Sequence, residues 1–508
     1  MEYLEIDREK TFFASQFISD YYDGKLSDFH TYSPDISSLK SAIAAKSTFS
    51  QDKRDNLVAV LKKQYSVAEL EPGEGVAHNI EALSDFNTYT VTTGQQIHIG
   101  LGPLYVLYKI MDVLAIVADL KKESPEHQFV PVFWMASEDH DLEEISEIKL
   151  YGKSIKWENN QKGPVGRMHT DGLKEVFEQI EKDFNLSDEQ LSFLALCKRE
   201  YVNSANLSIA FRRILHNYFK DTGLVLLDAD DEDLKKSFLP VFRDEIAYKN
   251  AEALNQTTAK LIKTGYNQQL VIRDCNLFDM SSGGRVKITN PISEPINAYN
   301  LSPNAALRPL YQEWILPNLV YVGGSSEIKY WMQLKGMFDN YEVPVPILHL
   351  RKSNVLIPKK RVSSLSDKTI LDLFNSKENL GKKNSEEFNI LTELLIEKYE
   401  SITNALSDYN VLVKVAFSGF SLDGKVSKLE PKLLELKTLV DDRLSVKLEQ
   451  DSGLNKLLKI KNTYFNEVAL QERESHFIAH IDNVPTLLLT SISRFGFRKS
   501  QKIDLIVT

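Results

Sequence analysis

The chain has 508 residues, 43% hydrophobic and 26% charged, with 22 glycines and 17 prolines; this is the composition of a globular protein of several domains and excludes collagen-like or linker-dominated architectures. A formal net charge of −10 argues against general nucleic-acid binding, which draws its affinity from a basic footprint, although a local basic groove can sit inside an acidic total. The two cysteines, Cys197 and Cys275, form no C-x-x-C pair, which excludes a zinc site made from cysteine pairs and fits a reducing compartment.

The N-terminal residues lack a basic run followed by an apolar one, so no signal peptide is expected. No stretch reaches about 18 apolar residues, so no membrane span is expected. The expected location is cytoplasmic.

Residues 1–85 read as mostly helical and polar, broken near Glu71-Pro72-Gly73. Residues 89–93, β-branched and aromatic, predict a strand that ends at Gly94. A helix is expected from Gly102-Pro103, with Leu107, Tyr108, Met111 and Ala115 on its buried face. The apolar run 129–136 predicts a strand buried on both faces, so residues 88–136 form one βαβ unit. Residues 150–220 read as Lys- and Glu-rich amphipathic helices with few strands. Further buried strands are expected at 224–228, 319–324 and 345–350, around a mixed segment at 240–300. Phe388, Leu391, Leu395, Tyr399, Ile402 and Leu406 recur at spacings of 3, 4, 4, 3 and 4 and predict a long amphipathic helix. A second leucine-rich run spans 426–465, and the break at 417–421 makes the pair a helical hairpin. Pro431 argues against an uninterrupted second helix unless it lies in the first turn.

Four motifs could carry chemistry. Thr92-Thr93-Gly94-Gln95-Gln96 leads through Gly100 and Gly102-Pro103-Leu104-Tyr105 to Lys109, where a first strand feeds a first helix. Glycines there would let backbone amides approach a phosphate, but the third glycine of the dinucleotide fingerprint is missing. A glycine turn capping a helix would account for the same residues. Ser137-Glu138-Asp139-His140-Asp141 follows the buried strand directly and could bind a metal, hold an amine or do acid–base work; equally, it could be a solvated helix start. One His among carboxylates does not define a metal site. Val322-Gly323-Gly324 with Glu327 again joins strand to helix, and upstream Arg308 stands among apolar residues, where it needs an anionic partner. Arg351-Lys352-Ser353 ends a strand and could clamp phosphates. Leu470-Gln471-Glu472-Arg473 has no mechanism that its residues suggest.

In this order, these blocks resemble the BshC-type cysteine ligases of bacillithiol biosynthesis. The resemblance rests on Thr93-Gly94-Gln95-Gln96 with Gly102-Pro103-Leu104-Tyr105 and Lys109, and on Pro131-Val132-Phe133-Trp134 with Ser137-Glu138-Asp139-His140-Asp141. Arg308-Pro309, Tyr321-Val322-Gly323-Gly324 with Glu327, and Leu470-Gln471-Glu472-Arg473 complete it. Ile97-His98-Ile99 departs from the family's smaller, more apolar stretch.

The resemblance implies an α/β fold. It has a Rossmann-like parallel-sheet core with inserted connecting segments, like class I aminoacyl-tRNA synthetases, and an added α-helical coiled-coil domain. The core's first half would be residues 1–150, a mainly helical insertion 151–220, and the second half 221–380 with a further insertion near 240–300. A coiled-coil hairpin, 381–475, would mediate a homodimer, and 476–508 would pack on the core. The implied reaction joins the carboxyl of cysteine to the amine of glucosaminyl malate. A carboxylate is a poor acyl donor, so ATP or a related nucleotide is expected to activate it as an adenylate. Asp139, His140 and Asp141 are the expected catalytic residues. Thr93, Gly94, Gln95, Gln96, Gly102, Pro103, Tyr105, Lys109, Ser137, Glu138, Arg308, Gly323, Gly324, Glu327, Arg351, Lys352 and Ser353 are the expected binding residues. No metal ligand set is assigned. Two alternatives stay open: a synthetase-like protein acting on tRNA or another aminoacyl acceptor, and a non-catalytic dimeric nucleotide-binding scaffold.

Overall fold

The structure is a computed structural model that describes residues 1–289, 296–363, 365, 370–376, 386–418, 420–448, 452–465, 470–497 and 501–508. Gly419, Lys499 and the side chains of Phe388 and Leu391 lie outside the described residues. In chain order the strands are β1 (Glu2–Asp7), β2 (Thr88–Gln95), β3 (Gln128–Met135), β4 (Glu147–Leu150), β5 (Lys153–Lys156) and β6 (Val225–Asp228). They continue with β7 (Leu277–Asp279), β8 (Val286–Lys287), β9 (Leu301–Pro303), β10 (Asn318–Gly323), β11 (Ile347–Leu350), β12 (Ser353–Ile357) and β13 (Lys502–Val507).

The central sheet has the order β11-β10-β2-β3-β6 and is parallel throughout. Its five strands are those the apolar runs predict, and the fold is α/β with a Rossmann-like core. Burial on both faces explains the continuous runs: in β3, Val130, Val132 and Trp134 join one core while Phe133 and Met135 join another. Pro131 is tolerated in this strand because β6 pairs only from Val132 onward. The chain winds from β2 through β3 to β6, then returns to lay β10 and β11 on the other side of β2. The direction of winding therefore reverses between β2 and β10, and a crevice opens at the carboxyl ends of these two strands.

Some strands lie outside the predicted set. The first segment, read as mostly helical, is so but for its opening strand. β1 pairs antiparallel with β13, which pairs parallel with β12, so the two ends of the chain share a second sheet. Strand β5, inside the segment expected to be helical, forms a hairpin with β4. The mixed segment supplies β7 and β8, which join β9 in a small antiparallel sheet.

The expected pair of long helices is present as Glu386–Ala416 and Asp423–Leu448. They are tied at the turn, where Asn410 Nδ2 donates to Asp423 Oδ1 over 2.8 Å and Lys414 pairs with Asp423 at 2.7 Å. Contrary to expectation, Pro431 lies well inside the second helix. The carbonyl its ring displaces is that of Ser427, which is exposed and can bond water. A third helix, Ser452–Tyr464, leaves the hairpin and seats Leu457 and Ile460 against Val355, Ile503 and Leu505 of the second sheet. Among the described residues no helix is long and apolar enough to cross a membrane.

Candidate functional site

The helix Tyr105–Glu123 starts ten residues after β2 ends, so its first turn points Lys109 back at the strand terminus. Lys109 is 1% exposed. Its Nζ donates to Gly94 O at 2.9 Å and Gln95 Oε1 at 3.0 Å, and pairs with Glu327 Oε2 at 2.7 Å. Glu327 stands in the first turn of the helix Ser325–Gln333 that follows β10. It also accepts from Gly324 N at 2.8 Å and from the Tyr321 hydroxyl at 2.6 Å. Burial raises the Glu327 carboxyl, but Lys109 and these donors outweigh it and hold the group below its ordinary value. Burial in turn lowers the Lys109 ammonium despite Glu327. This pair stitches the crevice across the point where the winding reverses.

The second wall comes from the residues after β3. Gln96 Nε2 donates to Asp139 Oδ2 over 2.7 Å, so the glutamine turn and the acidic cluster meet in one crevice. Arg285 Nη1 donates to Asp139 Oδ1 at 3.1 Å, and its guanidinium lies over the Phe278 ring. Burial opposes ionisation of Asp139, yet Arg285 and Gln96 win and its pKa is lowered. Glu138 lies deeper, 2.6 Å from Lys235 Nζ, and burial pushes its carboxyl up despite that cation. Glu144, at the rim, is also pushed up by burial. Gln95 Nε2 donates to the Tyr105 hydroxyl at 2.8 Å, which orients the glutamine from its other end.

The crevice encloses about 560 Å³. Six basic residues line it (Lys109, Arg273, Arg285, Arg308, Arg351 and Arg473) against four acidic ones (Glu138, Asp139, Glu144 and Glu327). A positive pocket thus sits in a chain whose net charge is −10. Arg308 bonds only neutral partners, Gln312 Oε1 at 3.2 Å and the Tyr330 hydroxyl at 3.1 Å. Among the described residues it has no carboxylate at ion-pair distance, so a ligand anion could complete it.

Of the residues expected at the site, Gly94, Gln95, Gln96, Tyr105, Lys109, Glu138, Asp139, Arg308, Gly324, Glu327 and Arg351 line this crevice. The others do not. Thr93 is buried and donates to Val322 O, holding β2 to β10. Ser137 bonds Asp228 below the crevice. His140, its side chain 52% exposed, lies beside the crevice with Nδ1 3.2 Å from Arg285 Nη1 and its ring against Phe278, and Asp141 caps the short helix Leu142–Ile145 by accepting from Glu144 N. Gly323 O accepts from Arg351 N, joining two strand ends. Lys352 is fully buried against Asp504, and Ser353 donates to Glu472. Arg273, Arg285, Glu144 and Arg473 are the charged lining residues that sequence reasoning missed. Only Arg473 lay in a motif already singled out.

The glycine loop is also corrected. Gly100 N donates to the Tyr201 hydroxyl at 2.9 Å and Gly102 N to Ile99 O at 3.2 Å, so neither amide is offered to a phosphate. Pro103 bridges to His476 instead of the crevice. Gly102 has φ +73°, and an added Cβ would stand 2.5 Å from His98 Cβ. Gly102→Ala is therefore expected to destabilise the protein by more than about 1 kcal/mol, read as a lower melting temperature, without changing ligand affinity in the surviving folded fraction. Among the described residues no group of three or more His, Cys, Asp or Glu converges to hold a metal ion.

Residues 1–298 and 296–352 match the family described as "Bacillithiol biosynthesis BshC, N-terminal Rossmann-like domain". A protein of Flavobacterium psychrophilum is 35% identical over 517 aligned positions, covering 96% of each chain. One of Flavobacterium johnsoniae is 33% identical with 92% of each chain covered, and one of Cytophaga hutchinsonii is 33% identical with 90% covered. All three carry the name "Putative cysteine ligase BshC". With a Rossmann-like match over more than half its length and relatives at this identity across nearly all of it, this chain belongs to the BshC family of bacillithiol biosynthesis.

Proposed function

We propose that this protein is a ligase that forms an amide between the carboxyl of cysteine and the amine of glucosaminyl malate. The observation that carries this reading is the positive crevice at the reversal point of the sheet, with Arg308 lacking a carboxylate partner among the described residues. A malate-bearing sugar presents two carboxylates, and an arginine-rich pocket in an acidic protein selects for such charge.

Gln95 is held at both ends, by Lys109 and by Tyr105, and Gln96 is held by Asp139. Rigid amides of this kind orient a substrate for attack, which is worth more than any single contact. ATP would supply activation of the cysteine carboxyl. Its phosphates would be held by guanidinium side chains such as Arg308 or Arg351, since the glycine amides are already engaged. The amine attacks the activated carbonyl carbon, the C–N bond forms, and the bond to the leaving oxygen breaks. The attacking nitrogen must lose a proton, and Glu144, which lines the crevice with a raised pKa, is the acceptor this reading assigns. Asp139 is a weaker proton acceptor because Arg285 stabilises its charge, and His140 lies outside the crevice lining.

Incubation with cysteine, glucosaminyl malate and ATP tests the reading. The expected result is a product of the mass of the cysteinyl amide, formed in step with ATP consumption. ATP bound without any amide product would overturn it in favour of a non-catalytic nucleotide-binding protein.

A further inference from the structure

Behind the main crevice lies a second, smaller cavity of about 160 Å³, well below the size of a typical drug-sized ligand pocket. It shares Gly324, Arg351 and Arg473 with the crevice and is closed by residues from both ends of the chain. Arg8, next to the last residue of β1, enters from one side; it is 7% exposed. Arg351 follows β11 directly, and Arg473 comes from the short helix Gln471–Glu474.

Three guanidinium groups thus face one small space, and the carboxylate among its lining residues is Glu472. Glu472 Oε1 pairs with Arg351 Nη1 at 2.6 Å and accepts from Ser353 Oγ at 3.0 Å. Arg8 Nη2 donates to that same serine hydroxyl at 2.8 Å, while Arg8 Nε is buried with no hydrogen-bond partner. Burial, and after it the neighbouring Arg351, lower the pKa of Arg8 while Glu472 opposes them. Among the described residues, the Arg473 side chain makes no ion pair. Ser325, the first residue of the nine-residue helix Ser325–Gln333, lines the same space, and the Gly324 amide at that helix end is taken by Glu327. Among the lining residues three positive charges face one negative, an excess of two, of which Arg473 is reached by solvent while Arg8 and Arg351 are buried. A buried arginine beside another arginine, with a donor left unbonded, is costly unless an anion completes it.

From this convergence we infer that the cavity is an oxyanion subsite for a doubly charged phosphate group, built by Arg8, Arg351 and Arg473 and opening into the main crevice. A phosphate carries close to two negative charges at neutral pH, so it matches the excess, whereas a single carboxylate cancels half of it. The volume admits a phosphate but not a nucleoside. The subsite would take inorganic phosphate, or the terminal phosphate of a longer chain whose remainder lies in the crevice. The inference rests on the charges in this cavity; it does not require that the protein forms an amide.

Calorimetric titration of the full-length protein with inorganic phosphate, and separately with L-malate, tests it without turnover. The expected result is saturable phosphate binding that weakens with added salt. Arg473→Gln, at an exposed position, and Arg8→Lys, which keeps the charge but not the fork, should each weaken it by about tenfold or more. Tighter binding of pyrophosphate than of phosphate would place a phosphate chain across both spaces, and equal binding would restrict the subsite to a single phosphate; both support it. Three results would overturn it: no phosphate binding by the wild type, binding unchanged in Arg473→Gln, or competitive displacement of phosphate by malate. The last would make the cavity a carboxylate subsite. Amide formation without phosphate binding would sink this inference alone, and phosphate binding without amide formation would sink the ligase reading alone.

Discussion

Glu144→Gln is expected to lower the rate of amide formation by about 10²- to 10⁴-fold, the usual contribution of a positioned proton acceptor. Burial raises the carboxyl's pKa, and the nearby Asp139 and Asp141 charges add to that, against a bond from Gln96. A carboxylate with a raised pKa accepts a proton more readily near neutral pH than an ordinary one. It must be deprotonated to act, so kcat/KM should rise with pH through a limb lying above the usual glutamate range. The limb should vanish in the glutamine variant.

The stability consequence has a definite sign. A carboxyl whose folded pKa is raised stabilises the fold below its unfolded value of about 4.3, and that contribution is lost as pH rises through the raised folded value. Glutamine mimics the protonated form. The variant should therefore melt no lower than the wild type at pH 7, and the two should converge in acid. A variant that keeps both the rate and the acidic limb would move the proton to another group, Glu138 being the other crevice carboxyl with a raised pKa.

Lys109→Met is expected to cost about 3–5 kcal/mol of folding free energy, measured by urea denaturation, and to abolish activity. Methionine matches the length of the stem but removes the ammonium. Glu327, its side chain 24% exposed, would then be a partly buried carboxylate that keeps only the Gly324 amide and the Tyr321 hydroxyl, and Gly94 O and Gln95 Oε1 would lose their donor. Most of the penalty is the charge left behind. The deficit should shrink as pH falls and Glu327 takes up a proton, and Lys109→Met with Glu327→Gln should be more stable than Lys109→Met alone. A loss below about 1 kcal/mol would mean that the pair behaves as an exposed salt bridge and does not brace the crevice.

Much of the site was legible in the residues because its two halves are local. Gly94-Gln95-Gln96 and Gly323-Gly324 with Glu327 each follow an apolar run directly, and chemistry at the end of a parallel strand is readable from the strand itself. Composition does not reveal direction at His140 and Asp141. The chain turns into the helix Leu142–Ile145 there, so Asp141 serves as its cap and His140 lies half exposed beside Arg285 and Phe278. Arg285 was invisible because it sits between a glycine turn and a two-residue strand, with no periodicity to mark a face.

The five core strands follow from the amino acids alone, since an apolar run bounded by turn residues can be satisfied only by burial on both faces. The long helices of residues 386–448 follow likewise from their spacing and the break between them. The order of the strands does not, nor does the pairing of β1 with β13, because these depend on contacts between segments hundreds of residues apart, to which local pattern is blind. Folding is what brings Arg285 onto Asp139, Glu472 onto Arg351, and the ends of the chain together behind the crevice.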